Sequence, residues 1–149
     1  MTRKVILIVA RIGLAAVFLW AAYAKLREPW FLFAASIDTL QLLPEPAVLF
    51  LARVLPWSEL ALGLFLLTGI KLRWSATFAT GLLLVFFGVM LRSYLAGIQA
   101  DCGCFGPGEA LGPKTLARDG ALLAVSAWLT WEAFRPKLLH NQLEVDHQH

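Results

Sequence analysis

Charged residues are scarce in this sequence. Asp, Glu, Lys and Arg make up 15% of the 149 residues, and hydrophobic residues make up 59%, whereas soluble domains carry about a quarter charged residues. The net charge of +3 is small and lies at the ends of apolar runs, so no nucleic-acid partner is indicated. The composition predicts one integral membrane domain in contact with the lipid bilayer.

Motifs of the familiar enzyme classes are also missing. The sequence has no Gly-rich phosphate loop, no HExxH motif and no recognisable Ser/His/Asp set. Histidine occurs only near the C-terminus, at His140, His147 and His149. Cysteine is the remaining source of reactive chemistry.

Only two cysteines are present, and both lie in the stretch DCGCFG at 101–106. The glycines and the proline that follow predict a loop, because both residue types break helices. A disulfide needs α-carbons roughly 4.4–6.8 Å apart, which Cys102 and Cys104 reach only if the backbone bends at Gly103. Such a small ring is strained, and strained disulfides have labile potentials. We therefore interpret the pair as redox-active.

Two other interpretations of the cysteines stay open. A disulfide could simply clamp the loop, or the thiolates could bind a metal. Two thiolates supply half of a tetrahedral zinc site, and the histidines lie in the distant tail. The metal interpretation is therefore the weakest of the three.

Four apolar runs predict an all-α, four-helix transmembrane bundle over residues 1–136, with a polar tail at 137–149. The runs cover about 5–26, 47–70, 73–97 and 116–135. The last is ambiguous alone, because Arg118, Asp119 and Glu132 shorten its uncharged stretch. A signal peptide is the alternative for the first run, but its length and Arg11 favour a span.

Two segments connect these spans in a distinctive way. Residues 30–43 begin with aromatic side chains and are short for a span, which predicts a lid-like interfacial helix between the first two spans. Residues 99–114 form the predicted cysteine loop, between the third and fourth spans.

The distribution of Lys and Arg favours cytoplasmic termini. Cations expected on that side are Arg3, Lys4, Lys71, Arg73, Arg135 and Lys137. The cysteine loop then faces outside, where disulfides persist. The predicted location is the bacterial inner membrane.

Two charges are predicted at mid-membrane, Arg11 in the first span and Glu59 in the second. Their depths, counted from opposite surfaces, add to about 31 Å at 1.5 Å per residue, which is close to one bilayer core. The two groups are therefore expected to meet as a structural ion pair. The alternative is a proton site or a membrane-quinone site near Arg11, Trp57 and Glu59.

Charged residues also flank the cysteine loop. Arg92 and Arg118 lie at the expected outer ends of the third and fourth spans, and nearby cations lower a thiol pKa. Asp119 could hold these arginines or accept a proton. Alternatively, all three are ordinary interface residues.

The chain resembles the methylamine-utilisation protein MauE and the broader DoxX-like membrane proteins, over residues 9 to about 131. The resemblance rests on Arg11-x-Gly13, Ala24-Lys25-Leu26, Pro56-x-x-Glu59 with Gly63, Asp101-Cys102-Gly103-Cys104-Phe105-Gly106 and Arg118-Asp119. It implies a four-helix, redox-associated membrane protein that acts beside a thioredoxin-like partner, in some operons for maturation of a disulfide-rich dehydrogenase subunit. The architecture is also similar to vitamin K epoxide reductase and DsbB-type oxidoreductases, which carry further cysteines for a relay that this chain lacks.

These observations predict that Cys102 and Cys104 exchange electrons with an extracytoplasmic thioredoxin-like protein. Because no second cysteine pair is present, another carrier is needed, and a membrane quinone is the candidate. Two rival functions stay open: a membrane scaffold with a structural disulfide, and a small-molecule transporter that uses the level of Arg11 and Glu59.

Overall fold

The computed structural model describes residues 2–103 and 106–135, and most of them are helical. The helices are α1 (Thr2–Arg27), α2 (Trp30–Asp38), α3 (Glu45–Thr68), α4 (Leu72–Leu95) and α5 (Pro113–Phe134). Between α4 and α5, strand β1 (Asp101–Gly103) pairs antiparallel with β2 (Gly106–Ala110). Within these residues the fold is thus all-helical apart from one small hairpin.

Three helices, α1, α3 and α4, are long and apolar enough to cross a membrane. Only 22–33% of their most apolar stretches is buried inside the protein, so most of this apolar surface faces outward, as lipid contact requires. Helix α5 differs because every 18-residue stretch of it contains Arg118, Asp119 and one further charged residue.

The main core lies where α1, α3, α4 and α5 meet. Its buried residues are Leu14, Ala15, Phe18, Leu66, Ala76, Ala79 and Leu129. Helices α1 and α3 run antiparallel and approach closely at Gly63, where an added Cβ would lie 2.7 Å from Leu19 Cγ. Gly63 therefore sets the spacing of the two helices.

Helices α4 and α5 also run antiparallel, and hydroxyl groups join them. Thr80 Oγ1 lies 2.7 Å from Ser126 Oγ and 2.8 Å from Thr130 Oγ1. Near one end of the pair, Arg73 Nε donates to the carbonyl of Ala133 at 3.0 Å. Interhelical hydrogen bonds of this kind stabilise helix pairs in apolar surroundings.

Helix α2 is shorter than the predicted segment 30–43. It ends at Asp38, and Gln41 then adopts a positive φ of 50°, which ends regular helix. One face of α2 packs on the first half of α3: Phe33, Ala34, Val48, Ala52 and Leu55 form a second core. The opposite face is exposed. Helix α2 is therefore a packed element as well as an outward-facing one, and its interfacial position stays a prediction.

The predicted loop at 99–114 contains the hairpin, which sequence analysis did not predict. Asp101 pairs with Ala110, and Gly103 pairs with Gly106, with an irregular register between them. Backbone of the hairpin lies against α1 and α2. The hairpin is thus held at the end of the bundle where α1 finishes.

Candidate functional site

A buried ion pair joins α1 to α3. Lys25 Nζ donates to both carboxylate oxygens of Glu59, at 2.8 Å each. The two residues are only 2% and 5% exposed, respectively. Charges so deeply buried are tolerated when they are paired and hydrogen-bonded, and this pair meets both conditions.

The position of Lys25 follows from the helical period. The buried residues of α1 are Leu14, Ala15, Phe18, Ala21, Ala22 and Lys25. Their spacing of three or four residues forms one continuous stripe, and Lys25 is its last member. Glu59 lies on the corresponding stripe of α3, between Leu55 and Gly63. Each charged side chain therefore points into the bundle, because it lies on the buried face of its helix.

An aromatic ring and a small cavity adjoin the ion pair. Lys25 Nζ lies 5.2 Å from the centre of the Phe33 ring, a favourable cation–π distance. Glu59 and Asp119 both line a cavity of about 40 Å³ whose other walls are apolar side chains of α1, α4 and α5. Two carboxylates from different helices thus line one small cavity.

Asp119 is itself paired. Its Oδ1 accepts a hydrogen bond of 3.0 Å from Arg118 Nε, and the Arg118 side chain is one-third exposed. Because α5 buries Asp119, Arg118 reaches over from the partly exposed side. The predicted association of Arg118 with Asp119 is therefore present.

The cysteine hairpin occupies the same end of the bundle. Strand β1, which contains Cys102, contacts α2, and β2 contacts both α1 and α2. These are the helices that contribute Lys25 and Phe33. The Cys102 side chain and all of Cys104 lie outside the described residues, so their bridge stays a prediction.

The predicted ion pair of Arg11 with Glu59 is wrong. Glu59 binds Lys25 instead, and Arg11 lies beside Gly69, where an added Cβ would be 2.5 Å from Arg11 Nη1. Fourteen residues separate Arg11 from Lys25, or about 21 Å along a helix. The depth count failed because it assumed that α1 and α3 begin and end at common bilayer surfaces, whereas the first half of α3 packs on α2.

The other predicted residues are separated as well. Trp57 is 62% exposed and lies two positions from Glu59, on a different face of α3. Arg11, Trp57 and Glu59 therefore do not form one site, and a quinone near any one of them stays a prediction. Arg92 is exposed in the last turn of α4, and within the described residues it forms no ion pair.

Sequence reasoning missed Lys25 as a site residue. Lys25 entered the sequence analysis only as part of the family-like motif Ala24-Lys25-Leu26. The available signal was the periodic stripe that Lys25 completes with Ala21 and Ala22. Following that stripe to the end of the helix would have placed Lys25 inside.

The chain matches the model of a known protein family. The family described as methylamine utilisation protein MauE matches residues 3–132, which is most of the chain. The chain belongs to the MauE family. With its outward-facing apolar helices, it is a MauE-family membrane protein. No curated protein and no solved structure shows significant similarity to it.

Proposed function

We propose that this MauE-family protein is a membrane thiol–disulfide exchange protein with Cys102 and Cys104 as its redox pair. A thiolate of a thioredoxin-like partner attacks one sulfur of the Cys102–Cys104 disulfide, and the other cysteine leaves as a thiolate. The partner's second thiol then resolves the mixed disulfide. The partner becomes oxidised and the pair becomes reduced by two electrons; the reverse sequence reduces the partner.

The observation that carries this proposal is the position of the hairpin. The strand that contains Cys102 packs at the end of the bundle where Lys25, Glu59, Arg118 and Asp119 gather. Cations near a thiol favour its thiolate, and carboxylates can accept the proton it releases. A scaffold with a purely structural bridge would not need this concentration of buried charge.

Continued turnover needs a second electron carrier, because the chain has only two cysteines. A two-electron membrane quinone is the carrier we propose. The MauE family description further suggests that the partner serves methylamine utilisation, with a disulfide-containing periplasmic protein as the final recipient.

We further propose that α5 is a fourth span. Its 22 residues extend about 33 Å, enough for a bilayer core. Asp119 is buried and the Glu132 side chain is only 10% exposed, so these charges avoid lipid. The Thr80 contacts with Ser126 and Thr130 supply polar interhelical bonds. Four antiparallel spans would place both termini on one side and the hairpin on the other. The distribution of Lys and Arg assigns the side of the termini to the cytoplasm of a bacterial inner membrane.

Single cysteine variants test the exchange reaction. Cys104→Ser retains Cys102, the sulfur that forms the mixed disulfide with the partner in both directions, but removes the thiol that resolves this mixed disulfide when the pair reduces the partner. A mixed disulfide with the partner should therefore accumulate, visible on non-reducing gels and identifiable by mass. Cys102→Ser is the matched control and should trap much less. If neither variant traps a thioredoxin-like protein, the scaffold function replaces this proposal.

A further inference from the structure

The end of the bundle opposite the hairpin contains a recess between α1, α4 and α5. Its inner part is a cavity of about 110 Å³ lined by Arg11 and Glu132 together with Leu7, Ile8, Leu72 and Leu129. A wider opening of about 500 Å³ shares Leu72 and Glu132 and adds Lys71, Arg73 and Arg135. The two cavities adjoin, because both are lined by Leu72, Glu132 and Ala133, and together they are called the recess.

Among the described residues, Arg11 at the inner part of this recess has no counterion. Its Nε atom is buried and has no hydrogen-bond partner in that part of the chain. Glu132 is engaged by Arg3 and, at 3.8 Å, by Arg135, and no ion pair joins it to Arg11 within the described residues. A cation in partly apolar surroundings favours an anion beside it.

Further positive charge surrounds the mouth. Lys71 is the N-cap of α4 and makes no side-chain capping bond, so the positive end of the helix dipole faces this region. Arg73 uses Nε for the Ala133 carbonyl and is otherwise exposed. Glu132 is the one acidic residue that lines the recess within the described part of the chain.

Two tryptophans indicate the depth of the recess. Trp74, at the start of α4, and Trp131, near the end of α5, are each 66% exposed. Exposed tryptophans in membrane proteins concentrate at the level of the lipid headgroups. An anion reaching Arg11 beside these residues would therefore come from the lipid.

We propose that this recess binds the phosphate group of an anionic phospholipid. Arg11 contacts the phosphate from the inner part, and Lys71, Arg73 and Arg135 surround it at the mouth. The acyl chains lie along the exposed apolar faces of α1 and α5. The recess recognises the phosphate group, and a lipid of the membrane supplies it. This site is separate from the proposed thiol exchange, which occurs at the other end.

Native mass spectrometry of the full chain, released from detergent with added lipid, tests the proposal. Phosphatidylglycerol should bind with a defined stoichiometry and more tightly than phosphatidylcholine. Since each basic contact contributes about a fivefold change in lipid affinity, Arg73→Gln should weaken phosphatidylglycerol binding about fivefold. Arg11→Gln should weaken it at least as much.

Arg27→Gln is the matched control, because Arg27 is an exposed cation at the other end of α1. It should leave phosphatidylglycerol binding unchanged. Equal binding of both lipids, or equal losses in Arg73→Gln and Arg27→Gln, would overturn the site. Arg73 is exposed, so its variant remains informative if Arg11→Gln misfolds. Full displacement of the lipid by millimolar inorganic phosphate would overturn the lipid source and assign the recess to soluble phosphate.

Discussion

The two ends of this bundle differ in the pairing and the exposure of their charged residues. At the hairpin end, one ammonium meets one carboxylate, and both residues are almost completely buried. At the other end, cations outnumber Glu132, and Arg3 and Arg135 are more than half exposed. Buried charges require their own partners inside the protein, whereas exposed cations can take a partner from outside. We therefore expect thiol–disulfide exchange at the hairpin end and contact with lipid at the other end.

The largest effect should come from breaking the buried pair. Glu59→Gln or Lys25→Met alone breaks the buried pair and should destabilise the protein by about 3–5 kcal/mol. Lys25→Met combined with Glu59→Leu should lose much less stability than the sum of the single losses, because both charges of the pair are then removed together. Unfolding in detergent measures all three changes.

The Arg11/Glu59 combination is the control for that cycle. Because about 21 Å of helix separates their levels, Arg11→Gln and Glu59→Gln should be additive within about 0.5 kcal/mol. Strong coupling between these two residues, or additivity between Lys25 and Glu59, would contradict the pairing described above.

A smaller effect is expected one helical turn away from the pair. Gly63→Ala would place its Cβ 2.7 Å from Leu19 Cγ, so α1 must move away from α3 at a cost of about 1–3 kcal/mol. Unfolding in detergent should show this loss, and adding Leu19→Ala should recover part of it. Gly81→Ala is the control, because nothing lies within 4 Å of its added Cβ. Equal losses at Gly63 and Gly81 would show that spacing is not the cause.

The smallest effect should come from the exposed ion pair at the other end. Arg3 donates to Glu132, but the Arg3 side chain is 57% exposed. Exposed ion pairs contribute about 0–1 kcal/mol to stability, so Arg3→Gln should barely change the free energy of unfolding. Because salt screens exposed charges, this change should be smaller still at high salt. A loss as large as that of Lys25→Met would remove the contrast between the two ends.

The sequence predicts the positions of the long helices well, because each is a long apolar run bounded by charges, Pro or Gly. It does not predict which charges meet. Lys25 and Glu59 come together because α3 extends past the end of α1, and α2 packs on the part of α3 that extends. Counting residues along one helix does not reveal this tertiary arrangement. The hairpin is equally difficult to predict from the sequence, since Gly106, Pro107 and Gly108 indicate a turn and do not form a strand pattern.

The reduction potential of Cys102 and Cys104 tests the central claim most directly. Thiol quantification in glutathione or dithiothreitol buffers of known potential would measure it on the intact protein. As an exchange pair, Cys102 and Cys104 should have a potential above that of thioredoxin, about −270 mV. A potential below about −300 mV, as structural disulfides have, would contradict the account and make the bridge a clamp.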